Sequence, residues 1–188
     1  MSNLIGVIMC GGQSKRRGTD KGLVQIEHQV WATFMADKLS ILKIPVIFSI
    51  NPKQVNKYSE HISPSQLIVD VNQIEGPARG LLTAHDNFPE DDLLLIACDM
   101  LALDAHTIIK LIQTYNAEKA YDFYVYQDEN YAQPFCGIYK SAGVKKLQDY
   151  IFEKGLASIS MQNVLNQVNT KRITIENKTS FANYNYKT

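Results

Sequence analysis

Three short runs in this chain are apolar at nearly every position: Leu4 to Met9, Val46 to Ile50, and Leu93 to Cys98. A fourth and shorter run covers Gln66 to Val69. A strand with one wet face alternates apolar and polar residues. A strand apolar throughout must be covered on both faces, which points to a parallel sheet between two layers of helix. Helical patterns fall between these runs. Trp31, Phe34, Met35, Leu39 and Leu42 recur at helical spacing, and Leu81, Leu82, His85 and Phe88 follow Gly76-Pro77, where proline suits a first helical position. Ile108, Ile109, Leu111 and Ile112 follow Asp104, a good N-cap. Strand alternating with helix predicts an α/β chain with a doubly wound sheet.

The pattern changes after residue 120. Tyr121 to Tyr126 and Gln133 to Tyr139 read as two strands joined through a polar turn at Asp128-Glu129-Asn130, and one or both are expected to be antiparallel. Helices at Ala142 to Glu153 and near Ser160 to Val168 follow, then a strand at Arg172 to Ile175. No repeat or linker interrupts the 188 residues, so a single domain over 1–188 is expected.

Lysine plus arginine and aspartate plus glutamate number 19 each, which removes the basic excess that broad nucleic-acid or anionic-membrane binding needs. No run approaches the ~20 apolar residues that span a bilayer, and the N-terminus lacks the basic and apolar regions of a signal peptide. Cytoplasm is the expected location. The three cysteines, Cys10, Cys98 and Cys136, lie far apart with no CxxC pair, which argues against a disulfide framework or a structural zinc site.

In a doubly wound sheet, ligands sit beyond the C-terminal ends of the strands, at a switch point in strand order. The segment Cys10 to Lys21 begins where the first strand ends. It combines Gly11, Gly12 and Gly18 with Lys15, Arg16, Arg17 and Lys21. Glycines let backbone N–H groups approach a phosphate, and the cations add formal charge. At an effective dielectric near 20, a lysine–phosphate pair at 4 Å gains about 4 kcal/mol before desolvation. The spacing fits neither GxGxxG nor GxxxxGK[ST], so it indicates phosphate without naming the machinery. The structural alternative is a surface loop with solvated charges.

Three more candidates follow strand ends. Asp99 suits a Mg²⁺ ligand beside substrate phosphates; it could otherwise cap a helix, but Asp104 is better placed for that. Asp70 could accept from a base or ribose, join metal binding, or simply form a turn. Asn51 offers both donor and acceptor to a base or ribose, or serves as a turn residue before Pro52. The four histidines lie away from strand ends and read as structural. No Ser/His/Asp arrangement emerges. Cys10 and Cys98, at adjacent strand ends, are expected to be neighbours without a catalytic role.

Together these residues resemble a known family. Gly11-Gly12-x-Ser14-x-Arg16-x-Gly18-x-Asp20-Lys21-Gly22-Leu23 resembles the GGxSxRMGxDKxL signature of molybdenum cofactor guanylyltransferases. Gly76-Pro77-x-x-Gly80, Cys98-Asp99-Met100, Gln133-Pro134-x-x-Gly137-x-Tyr139 and Phe181-x-Asn183-x-Asn185 resemble its later motifs, in order. Met9-Cys10 stands for the family's Leu-Ala, Arg17 for its Met, Leu101 for its Pro, and Tyr186-Lys187 for its Thr-Pro.

The resemblance implies a three-layer α/β/α Rossmann-like nucleotidyltransferase fold, mostly parallel with an antiparallel element in the C-terminal half. It implies transfer of GMP from GTP to the terminal phosphate of molybdenum-bearing molybdopterin, with Mg²⁺ as cofactor. The GTP site is then Met9, Cys10, Gly11, Gly12, Lys21, Asn51, Asp70 and Asp99. Lys21, Asp99 and Arg16 carry catalysis, with Asp99 on the metal. Gln133, Pro134, Asn183 and Asn185 face the acceptor. Residues 1–100 form the nucleotide and metal half, and 101–188 the acceptor half. A monomer is expected, with cofactor-synthesis and acceptor proteins as partners. Related enzymes that use CTP read AAG or AG where this chain has Gly11-Gly12, which favours GTP. A CTP or sugar-phosphate transferase of the same fold, and a non-catalytic nucleotide-binding homologue, are the rival readings.

Overall fold

The computed structural model describes residues 3–11, 20–71, 73–129 and 131–182. β1 (Leu4–Met9) precedes a small antiparallel hairpin, β2 (Gln25–Ile26) and β3 (Gln29–Val30), and helix α1 (Trp31–Ser40). Then come β4 (Val46–Ile50), the one-turn helix α2 (Val55–Tyr58), β5 (Leu67–Val69), α3 (Ala78–Asn87) and β6 (Asp92–Ala97). α4 (Ala105–Ala117), β7 (Phe123–Gln127), β8 (Ala132–Tyr139), α5 (Ser141–Lys154), α6 (Met161–Gln167) and β9 (Thr170–Thr174) follow.

Seven strands form one sheet in the order β5-β4-β1-β6-β8-β7-β9. β5, β4, β1 and β6 are mutually parallel. β8 runs antiparallel to both β6 and β7, while β7 pairs in parallel with β9. Of the two strands expected to break the parallel pattern, only β8 therefore does so among the described strands.

The apolar runs are buried as their composition requires. Ile8 of β1 and Leu94 and Ile96 of β6 pack with Ala32, Met35 and Leu39 of α1 and Ile108 and Leu111 of α4. Ile5 and Val7, with Leu93 and Leu95, face the other way onto Leu81 and Leu82 of α3 and Val144 and Leu147 of α5. Each such side chain contributes roughly 1.5–3 kcal/mol on burial, so both faces need their helices. The result is three layers, helix–sheet–helix.

Local signals set the helix ends. Asp104 caps α4, its carboxylate accepting from the Thr107 backbone N–H at 2.7 Å. Gly76 takes φ +93° in the turn before α3, a conformation that side-chain-bearing residues rarely adopt. The β2–β3 hairpin was not foreseen. Its strands are two residues each, too short for alternation to register, and its turn places Glu27 at φ +53°.

The topology defines one location. From β1 the chain moves to β4 and β5 on one side, then returns to β6 on the other side of β1. Met9 and Ala97 stand in register at the two C-terminal ends. The crevice above them is the switch point where such sheets bind ligands. No helix among the described residues is long and apolar enough to cross a membrane.

Candidate active site

Cys10 and Gly11 leave β1 at this crevice, and Asp99 lies two residues beyond β6. Lys21, first residue of a short 3-10 turn, reaches across so that its Nζ donates to Asp99 Oδ2 at 2.7 Å. The lysine side chain is 37% exposed and the carboxylate 16%, so one partner faces solvent and the other is sheltered. A pair this exposed contributes little to folding. Its value is positional: a cation and a carboxylate, separated by 78 residues, are held at the switch point.

Asp70 follows β5 on the same rim. It is buried, its Oδ1 accepts from Ser49 Oγ at 2.7 Å, and a Cβ on Gly11 would come within 2.6 Å of its Oδ2. Glycine at position 11 is thus what lets β1's exit lie against this carboxylate. Burial raises the Asp70 pKa, opposed by the Ser49 hydrogen bond and the Arg79 charge. Asn51, after β4, spends its side-chain oxygen as a cap on the Lys53 N–H at 3.0 Å.

Asp20, named in the motif without a role of its own, and Tyr58, Gln54 and Lys38, which no motif contains, also position this site. Asp20 accepts from Tyr58 Oη at 2.7 Å, from the Gly22 N–H at 3.1 Å, and from Gln54 Nε2. A Cβ on Gly22 would lie 2.1 Å from Tyr58 Oη, so the phenol's approach also depends on glycine. Lys38 of α1 donates to the carbonyls of Leu101 and Leu103 at 2.6 and 2.7 Å, tying down the loop that carries Asp99. Desolvation lowers the Lys38 pKa, partly offset by Asp104. A capping pattern, Asn51 with Gln54 three residues later, was the available signal for Gln54. Lys38 left none, because its partners are carbonyls 63 and 65 residues away.

Cys10 and Cys98 are neighbours as expected, both buried and unbridged. Burial, reinforced by Cys98, pushes the Cys10 thiol well up, which suits packing rather than nucleophilic chemistry. His85 is buried in the last turn of α3, where desolvation lowers its pKa, opposed by Asp86 and Glu90.

The second half of the rim begins at β8. Ile96 stands opposite Cys136, so the antiparallel run brings the start of β8 to the C-terminal end of β6. Gln133 lines a cavity of about 230 Å³ with Asp128, Glu129, Ile175, Lys178 and Phe181. Pro134 presents its carbonyl to the Tyr139 hydroxyl at 2.7 Å. Phe181 packs against Tyr126 with ring centroids 5.1 Å apart. Gly12, Arg16, Asn183 and Asn185 lie outside the described residues, as does Asn130 of the β7–β8 turn.

The donor set can be tested against a divalent cation. Among the described residues no group of three or more histidine, cysteine, aspartate or glutamate side chains is placed to hold a metal. Asp99 alone stands at the switch point beside a lysine. One carboxylate completed by substrate phosphates is the habit of Mg²⁺, which keeps waters and rarely takes an all-protein cage. The residues therefore fit a metal that arrives with a nucleotide.

Residues 6–168 match the family described as MobA-like NTP transferase domain. A molybdenum cofactor guanylyltransferase from Campylobacter jejuni is 26% identical over 188 residues, covering 99% of this chain and 93% of that protein. A molybdenum cofactor biosynthesis bifunctional protein from Synechocystis is 29% identical over 136 residues; the match covers 72% of this chain but only 39% of that longer protein. In three dimensions, the crystal structure of molybdopterin-guanine dinucleotide biosynthesis protein A from Archaeoglobus fulgidus superposes with a TM-score of 0.77 at 20% identity. That superposition covers 97% of this chain and 92% of the other.

Proposed function

The chain belongs to the MobA-like NTP transferase family, and from that premise we propose that it transfers GMP from GTP to the terminal phosphate of molybdenum-bearing molybdopterin. The observation that carries the reading is the Lys21–Asp99 contact at the switch point. A triphosphate arriving with a metal would replace the lysine–carboxylate contact by a lysine–phosphate and a carboxylate–metal pair, so that both side chains keep an opposite charge beside them. The name and full-length coverage of the Campylobacter relative support molybdopterin as acceptor. The paired Gly11-Gly12 favours guanine over cytosine.

The chemistry asks little of a general base. A phosphate monoester is mostly dianionic at neutral pH, its second pKa being about 6. An acceptor phosphate oxygen forms a bond to the α-phosphorus of GTP, the bond from that phosphorus to the bridging oxygen breaks, and pyrophosphate departs with the electron pair. Catalysis is then positioning and charge stabilisation. Lys21, with Arg16 carried over from the motif, neutralises charge on the departing pyrophosphate. Asp99 would hold Mg²⁺, which when bound would supply Lewis-acid stabilisation of phosphate charge. Asn51 and Asp70 face the nucleoside. Gln133 and Pro134, with Asn183 and Asn185, serve the acceptor in the 101–188 half.

The test is pyrophosphate release with GTP or CTP as donor and molybdopterin or a sugar phosphate as acceptor. GTP with molybdopterin should be the productive pair, and Asp99→Ala should fold normally yet lose about a hundredfold or more in turnover. Preference for CTP or for a sugar phosphate would replace this substrate assignment. An Asp99→Ala variant with near-wild-type turnover would remove the metal role.

A further inference from the structure

One side chain outside the motifs joins three parts of the site. Gln54 is buried, so each polar atom of its amide needs a partner. Nε2 donates to the Cys10 carbonyl at 3.0 Å and to Asp20 Oδ2. Oε1 accepts from the Asn51 backbone N–H at 2.7 Å. The amide has one tenable orientation, since flipping it would set an oxygen against two acceptors and an N–H against a donor. Cys10 directly follows β1, Asp20 directly precedes Lys21, and Asn51 follows β4. The two ends of the glycine- and charge-bearing segment are thus tied to one nitrogen, and the nucleoside side of the rim to the same amide.

We propose that Gln54 is a positioning residue that latches the triphosphate side of the site, setting Gly11 and Lys21 relative to Asn51; this rests on the GTP reading above. Asp20 completes the latch. Its second oxygen is held by Tyr58 and the Gly22 N–H, so the residue before Lys21 cannot turn without breaking three hydrogen bonds. Only an amide of this length supplies two donors and one acceptor. Glutamate would place a second carboxylate beside Asp20, and leucine would strand a carbonyl, a carboxylate and an N–H. Holding Cys10 and Asp20 in place before GTP arrives lowers the ordering that binding must otherwise impose at these two positions.

Wild type, Q54L, D20N and the double variant are compared by GTP titration with Mg²⁺, and by steady-state rates with GTP and molybdopterin varied in turn. Q54L and D20N should each raise the GTP KM about tenfold. The molybdopterin KM should stay within about twofold, because the latch touches only the nucleotide side. The double variant should be no worse than the weaker single, since residues sharing one contact are not additive. Unchanged GTP binding, an equal rise in both KM values, or additive losses would overturn the latch. If Q54L does not fold, D20N reads the same contact from its other end. Wild type that binds no GTP refutes the nucleotide reading before any variant is compared; saturable wild-type binding with unaffected variants refutes the latch alone.

Discussion

Asp70, proposed to face the nucleoside, is buried at a cost to the fold. Its carboxylate is buried against Gly11 and accepts from the Ser49 hydroxyl, and burial raises its pKa. A raised native pKa means the folded chain holds its proton longer than the unfolded chain. Below the unfolded value of 3.8 both forms are neutral and the group is indifferent. As pH climbs from there the unfolded state ionises first, so the penalty grows until the native pKa is passed and is constant above it. Asp70→Asn keeps an acceptor for Ser49 and removes that penalty. Its melting temperature at pH 7 should equal or exceed wild type, the gap closing as pH falls toward 3.8, while GTP affinity drops about tenfold. Melting curves at several pH values and one GTP titration check both halves. Asp70 was visible in sequence as a carboxylate after an apolar run. Its burial was not, because that depends on Gly11 arriving from a strand 60 residues earlier.

At the scale of elements, α4 was readable from Asp104 and its apolar spacing. What the structure adds is that this cap also holds the C-terminal turn, Lys178–Phe181, through hydrogen bonds from Ser180 and Asn177, both at 2.8 Å. Against the upward push of burial, these bonds and the Thr107 N–H hold the Asp104 carboxyl at about 2. That depressed value sets the sign: the stabilisation is complete above the unfolded 3.8 and is lost as pH falls through about 2. Asp104→Ala should lose about 1 kcal/mol at neutral pH, or roughly 2–4 °C in a domain this size. The difference from wild type should vanish between pH 4 and pH 2, read by thermal melting across that range. The hairpin β2–β3 and the Lys38 ties to the Asp99 loop were illegible for a common reason. Two-residue strands carry no period, and a lysine donating to backbone carbonyls specifies no partner in sequence.

For the whole molecule, the rim of one sheet gathers the described residues that the proposed reaction would use: Lys21 and Asp99 at the β1–β6 crevice, Asp70 and Asn51 on one flank, Gln133 and its cavity on the other. A ligand that binds only the folded state stabilises it by RT ln(1 + [L]/Kd), about 2.7 kcal/mol at a hundredfold excess over Kd. GTP with Mg²⁺ should therefore raise the melting temperature by roughly 5–10 °C, with ATP and CTP giving less at equal concentration. A larger shift with CTP would move the specificity assignment to cytosine.

The amino-acid sequence by itself determined the layers of this protein. Strands covered on both faces must be apolar at every position, and that requirement is written locally, residue by residue, in Leu4 to Met9 and Leu93 to Cys98. It also determined which residues sit just past strand ends, because strand ends are local events. The tertiary structure alone decided which of those ends are neighbours: that Lys21 meets Asp99, that Asp70 lies against Gly11, that Gln54 ties Cys10 to Asp20. Hydrogen bonds across tens of residues depend on strand order, and strand order is set by how helices of both layers pack against the sheet rather than by any short stretch of chain.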